Sequence, residues 1–201
     1  MERARRLWPA VTSLLVVGVV YAVLADDLRV GPAYMLLALI GIMLIPGVYA
    51  QVRRQHRLSH LVGLGLVCVA TLAVGSSVAL FVAHLPVRVT PAILLRDAGL
   101  IWVANVATFA VWYWEIDGGG PMKRPASSHQ STDFLFPQDQ INSSAWAPSF
   151  TDYLFLAFNQ STAFGPTDTS VISKHAKVLS MLQATFSLLI IAVVVARATA
   201  Q

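Results

Sequence analysis

Charged side chains are scarce in this chain. They make up 12% of its 201 residues, about half the share usual in soluble domains. There is a single cysteine, Cys68, which excludes an intramolecular disulfide; its place in an apolar run reads as a packed small hydrophobe. No internal repeat of the kind found in secondary transporters is present. Nucleophile motifs and glycine-rich phosphate cradles are also missing. His56 and His60 stand four apart and can share a helix face, but no third ligand lies near them, so they read as a solvated loop rather than a metal site. His84, His129 and His175 are scattered. The acidic residues of the apolar segments sit near the segment ends, so a proton relay through a membrane core lacks carriers. Catalysis, cofactors and metals therefore find no footing in the sequence.

What the chain does have is apolar length. Hydrophobic residues are 56% of the total and the mean hydropathy is +0.66, far outside the soluble range, which predicts an all-α, multi-pass membrane protein. The formal charge of +4 does not indicate nucleic acid. The basic residues lie in short loops beside apolar segments, where they set orientation in the bilayer.

Five spans are predicted. The first runs from Trp8 to Ala25 behind Arg3, Arg5 and Arg6. The basic start and Val23-Leu24-Ala25 also fit a cleavable signal peptide, but the length of the run and the spans that follow favour a retained helix. The second, Gly31 to Ala50, contains Pro46, expected to kink or end it. Arg53, Arg54, His56 and Arg57 then form the most basic short loop, cytoplasmic by the positive-inside rule. The third span, His60 to about Leu85, carries Gly63, Gly65, Gly75, Ser76 and Ser77, which allow close helix approach. The fourth runs from about Ala92 to Glu115. Arg96 and Asp97 near its start read as local pairing at the interface, Asn105 as interhelical glue, and Trp112-Tyr113-Trp114 at its end as an aromatic belt. The fifth runs from about Lys174 to Ala198, with Ser173 as its cap. Ala176, Ser180, Gln183, Ala184 and Ser187 recur along it at spacings of three and four, so small and polar groups share one face.

Between the fourth and fifth spans, Gly118-Gly119-Gly120-Pro121 breaks the helix and a polar linker follows to about Thr132. Phe134, Phe136 and Trp146 then place large aromatics where a solvated loop is expected, and read as docked on the membrane surface or on the hairpin that follows. Asn142-Ser143-Ser144 fits a glycosylation triplet, a common accidental match. From Phe150 to about Thr162 the chain is apolar and aromatic, yet only around half the roughly 20 residues a spanning helix needs. Ser149 and Asp152 resemble a capping box at its start, and Gly165-Pro166 is expected to stop it. A short helix, a turn of small and hydroxyl residues and a full span together have the layout of a pore loop.

That layout, from Ala92 to Gln201, resembles the pore module of the tetrameric potassium-channel superfamily. Residues 1–91 would form a three-span N-terminal region and 92–201 the pore-module-like region. The chain is also similar to an uncharacterised family of small bacterial membrane proteins that share a Trp-Tyr-Trp-Glu helix end, a Phe-Leu-Phe-Pro-Gln loop and an Ala-Phe-x-Pro-Thr-Asp turn. These occur here at Trp112 to Glu115, Phe134 to Gln138 and Ala163 to Asp168. The resemblance implies a bacterial inner-membrane location, a homotetramer and inorganic cations as the permeant species. It assigns the filter-like turn to Thr162, Ala163, Phe164, Gly165, Pro166, Thr167 and Asp168. The polar face of the last helix, Ser180, Gln183 and Ser187, becomes the lining of an inner cavity.

The turn departs from a potassium filter, whose successive carbonyls need glycines for their alternating backbone. Phe164 stands where the first glycine belongs, and Pro166 fixes its own φ and restricts Gly165. A weakly cation-selective or closed pore is the expectation; an ordinary tight connection between an interfacial helix and a span is the competing reading of the same residues. Sidedness stays open. Four spans before the hairpin, with Lys123, Arg124, Lys174 and Lys177 beside it, place it in the cytoplasm, whereas potassium channels carry theirs outside and the glutamate-receptor branch is inverted. The rival function is a non-conducting membrane module that binds a partner through the aromatic loop 133–146.

Overall fold

The computed structural model describes residues 2–53, 55–83, 90–121, 123, 133–141, 146–162 and 168–199. Seven α-helices occur among them: α1 (Glu2–Val23), α2 (Met35–Val52), α3 (His56–Ala83), α4 (Pro91–Ile116), α5 (Pro137–Ile141), α6 (Phe150–Thr162) and α7 (Lys174–Thr199). Two-residue strands β1 (Phe134–Leu135) and β2 (Ser170–Val171) pair antiparallel, with Phe134 opposite Val171. The all-α expectation holds, and this small strand pair is the element that apolar periodicity did not reveal.

Three helical stretches, His56–Ala83, Pro91–Gly119 and Lys174–Thr199, are long and apolar enough to cross a membrane. The apolar parts of α1 and α2, Trp8–Val23 and Met35–Ala50, are shorter, about 24 Å each at 1.5 Å per residue, against a hydrocarbon core of about 30 Å. Large apolar side chains nevertheless point outwards from all of these helices, including Ile45, Leu72 at 74% exposure and Leu188. Water would penalise such a surface and lipid does not. Cys68 is on it too, facing out rather than packed as expected. Pro46 lies within α2, and the helix continues past it to Val52.

One core runs through both halves of the chain, from Leu14 and Val17 of α1 to Ile190 and Val193 of α7. Its centre is α4, which packs on α1, α3, α6 and α7. Small residues let the backbones close up. A Cβ built on Gly18 of α1 would come within 2.6 Å of Leu37 of α2, and one on Gly63 of α3 within 2.8 Å of the Glu115 carboxylate. The buried aromatics at the end of α4 change one expectation. Tyr113 and Trp114 are interior and Trp112 donates to Thr71 Oγ1 at 2.7 Å, so Trp112-Tyr113-Trp114 is packing and interhelical bonding, not an interfacial belt.

The contacts also sort the helix ends. His60, one turn into α3, has Nδ1 3.4 Å from Glu115 Oε2 at the end of α4. A Cβ on Gly120, where φ is +98° and only glycine is at ease, would meet His60 Nδ1 at 2.9 Å. His56 and His60 are therefore helical, correcting the loop reading. Arg53, just past α2, and Arg57, in the first turn of α3, lie at the same end of the bundle as Gly118–Gly120 and the start of α6.

Candidate functional site

The short helix α6 spans Phe150–Thr162, the bounds its apolar length predicts. Half of the box at its start forms: Asp152 Oδ2 accepts from Ser149 N at 2.7 Å and from Ser149 Oγ at 2.8 Å, while Asp152 N donates to the Ser149 carbonyl at 3.1 Å rather than to its hydroxyl. Its orientation follows from α4. Phe150 and Tyr153 stack edge-on against Trp114, with centroids 5.8 and 5.4 Å apart, while Phe158 meets Trp102 at 5.5 Å. Those two tryptophans are twelve residues apart in α4, about 18 Å along its axis. From the capped end of α4, α6 thus runs back along it into the bundle.

The far end of α6 is fixed by α7. Gln183 Nε2 donates to Ala157 O at 2.6 Å and to Ser161 Oγ at 2.7 Å. Its Oε1 accepts from Tyr113 Oη at 2.6 Å, and its backbone O accepts from Asn105 Nδ2 at 3.3 Å. Asn105 Nδ2 also donates to Ser187 Oγ at 2.9 Å, and Tyr113 Oη lies 3.3 Å from Ser180 Oγ. Gln183 and Asn105 have no solvent exposure. One amide side chain thereby joins α4, α6 and α7 about 14 Å below the start of α7, and Asn105 is interhelical glue as its position predicts.

The start of α6 is held separately. Tyr153 Oη donates to Asp117 Oδ2 at 2.5 Å. Asp133 Oδ2 accepts from Gly118 N at 3.2 Å, and its Oδ1 is 2.6 Å from His175 Nε2. Phe134 packs on Tyr113 and Phe136 on Tyr153 and Trp146. At 0% and 2% exposure, these two aromatics dock on the α4–α6 pair within the chain. Ser173 Oγ accepts from Ala176 N at 3.3 Å and caps α7. By Ser170 the chain is again beside Leu135 at the end where α6 began.

Of the expected site residues, Thr162 ends α6 with Oγ1 3.2 Å from Asn159 O, and Asp168 is exposed. Ala163, Phe164, Gly165, Pro166 and Thr167 lie outside the described residues, as do Asn142-Ser143-Ser144 and most of the linker. Ser180, Gln183 and Ser187 share one face as predicted, but that face is turned into the chain's own interior. At 8%, 0% and 2% exposure their polar atoms are bonded to α4 and α6, which removes them as the lining of a cavity outside the chain. Ala184, expected on the same face, is exposed. Arg96 Nε and Nη2 pair with Asp97 Oδ1 at 2.9 and 2.8 Å, the local pairing their adjacency suggests. Ser161, Asp117, Tyr153 and His175 are polar positions to which sequence reasoning gave no role, while Tyr113 was read as part of a belt and Asp133 as part of the 133–146 loop. The signal available was hydroxyl and acid groups inside or beside aromatic runs. Among the described residues no group of three or more His, Cys, Asp or Glu side chains can hold a metal ion. Comparison with protein-family models, curated proteins and solved structures returned no match.

Proposed function

We propose that the chain is the protomer of an ion-channel-like membrane protein of the bacterial inner membrane, a homotetramer with a degenerate potassium-channel-type pore module. In this reading α6 is a re-entrant half-helix. The narrow part is Thr162 to Asp168, and the pore is weakly cation-selective or closed. The shorter α1 and α2 complete five spans by local thinning of the bilayer and by snorkelling at their ends.

The observation that carries the reading is the clamp by Gln183. A 13-residue helix is held at its last turn by a buried amide deep in the longest apolar part of the bundle, which an interfacial helix lying flat does not need. Non-helical backbone at such depth is tolerated only inside protein or against a water-filled cavity. The C-terminal end of α6 also carries the negative end of the helix dipole, which favours a cation beside Thr162. Closing a pore around one hairpin per chain takes about four copies. Leu154, Phe155 and Phe158 on the outer face of α6 are exposed in the single chain and supply apolar surface for a neighbouring α7. The hairpin enters from the end that carries Arg53 and Arg57, which the positive-inside rule makes cytoplasmic; the pore is then inverted relative to potassium channels.

The rival module reading is weakened because Phe134 and Phe136, the aromatics it needs for a partner, are buried within the chain. Cation flux into proteoliposomes tests the proposal. Flux that falls several-fold in Asp168→Ala supports it. Absent flux and a silent Asp168→Ala, together with a partner lost on changing exposed Ile141, supports the module.

A further inference from the structure

The bonds of Gln183 also fix which faces α6 and α7 turn away from each other. The amide meets Ala157 O and Ser161 Oγ, one turn apart on the buried side of α6, and Asn159 lies midway between them. Two residues along a helix are about 200° around it. Asn159 therefore stands on the far face of α6, level with Gln183. By the same rotation Thr185, two residues past Gln183, stands on the far face of α7. Both faces are open in the single chain: Phe155, one turn before Asn159, is exposed, and so are Met181 and Leu188 on either side of Thr185.

The two faces carry complementary groups. Asn159 is half-buried, and among the described residues its side chain makes no hydrogen bond; its backbone carbonyl accepts from Thr162 Oγ1. It lies nine residues beyond Phe150, about 14 Å into the bundle. An amide there offers two N–H donors and an oxygen, and acyl chains answer none of them. Thr185 is exposed, and its hydroxyl donates to Met181 O at 2.8 Å. That bond uses its one proton and leaves the oxygen able to accept.

The α6–α7 pair thus has a spare donor on one side and a spare acceptor on the other, at one level. Copies inserted into a bilayer in the same direction carry both groups at the same depth, so the donor face of one meets the acceptor face of the next. A contact between unlike faces is head-to-tail, and it repeats until a ring closes. Water could also serve the amide, but Leu154, Phe155 and Phe158 are exposed on the same helix. A water column would have to wet them, whereas a neighbouring helix buries them.

We infer that the Asn159 face of α6 docks on the Thr185 face of α7 in a second copy of this chain, with Asn159 Nδ2 donating to Thr185 Oγ1 of that copy. This contact rests on the membrane-spanning, multi-copy reading above and gives it an interface, whether or not the pore conducts.

Cross-linking of the full chain in its membrane tests it, in a background with Cys68 replaced by Ala. Asn159→Cys and Thr185→Cys in one chain, oxidised with copper phenanthroline, should give a ladder on a non-reducing gel that stops at the ring size and collapses on reduction. Either single variant alone should stay monomeric, and the two expressed together should give dimers only. Asn159→Cys with Val178→Cys should not link, because Val178 is seven residues before Thr185 on the same face, an offset of about 10 Å that exceeds the reach of a disulfide. Dimers from a single variant would mean that like faces meet, and would overturn the inference. A double variant that stays monomeric would overturn it too. The copy number of the unaltered protein in detergent then separates the two failures: a tetramer leaves the pore proposal standing with another interface, and a monomer removes both. A second pair of variants needs no cysteine. Asn159→Leu should raise the monomer fraction in detergent several-fold at fixed concentration and Asn159→Gln should raise it less; an unchanged fraction in Asn159→Leu also overturns the inference.

Discussion

Gln183 of α7 donates to Ser161 of α6 across 2.7 Å, and the same nitrogen reaches Ala157 O at 2.6 Å. Ala157 O can accept both from Ser161 N within the helix and from the amide, and Ser161 Oγ lies in the last turn, so the amide ties the end of α6 to α7. Replacing Gln183 by Leu keeps the volume but removes the amide's bonds to Ala157 O, Ser161 Oγ and Tyr113 Oη in an apolar interior, leaving Tyr113 Oη only its longer contact to Ser180 Oγ. Bonds inside membrane bundles are worth less than such counting suggests, because the unfolded chain in the membrane also finds partners. The expected loss is about 1–3 kcal/mol, read as a lower unfolding midpoint in detergent. Hydrogen exchange should rise at residues 157–162 and stay unchanged in α3; an unaltered midpoint would remove the clamp from the account.

Gly63 faces Glu115 so closely that a built Cβ lies 2.8 Å from its carboxylate. Gly63→Ala therefore pushes Glu115 away from His60 and opens the α3–α4 seam near the end of α4. A loss of about 1–3 kcal/mol is expected from such overpacking. Gly41 is the control, because a Cβ there meets nothing within 4 Å, and Gly41→Ala should be neutral or gain up to about 1 kcal/mol. Matching gains at both glycines would show that helix propensity, not the Glu115 contact, governs this position.

Much of the architecture was legible in the sequence because membrane helices announce themselves by length and apolarity. The bounds of α6 could be read from Phe150 to Thr162 because a capping pair starts it and its apolar run stops too soon to span. The stripe on α7 was also legible, since Ser180, Gln183 and Ser187 recur with the helical period. What period alone could not give was the direction the stripe faces. Polar groups line water or meet other polar groups, and both produce the same pattern; only the positions of Tyr113, Asn105 and Ser161 decide between them. Trp112-Tyr113-Trp114 misled for a similar reason, because an aromatic cluster at a helix end suits an interface or a covered interior equally well. Here the loop through Phe134 and Phe136 covers it. The pairing of β1 with β2 had no signal, since two residues per strand are too few to alternate.

The shared end of the bundle makes a prediction about sidedness. In a background with Cys68 replaced by Ala, Gln55→Cys and Lys123→Cys should be modified by a membrane-impermeant thiol reagent from the same side, the cytoplasmic one under the positive-inside rule. Both positions are exposed. Modification of both from outside would keep the fold and reject the inverted pore. Modification from opposite sides would contradict the helix order itself.

The most direct measurement is single-particle imaging of the detergent-solubilised protein, read for copy number and for the position of the hairpin. The account predicts four-fold symmetry, with Thr162 and Asp168 from each copy around the axis and Gln183 behind them inside its own protomer. A monomer, a dimer, or an assembly in which Thr162 and Asp168 face lipid would contradict it.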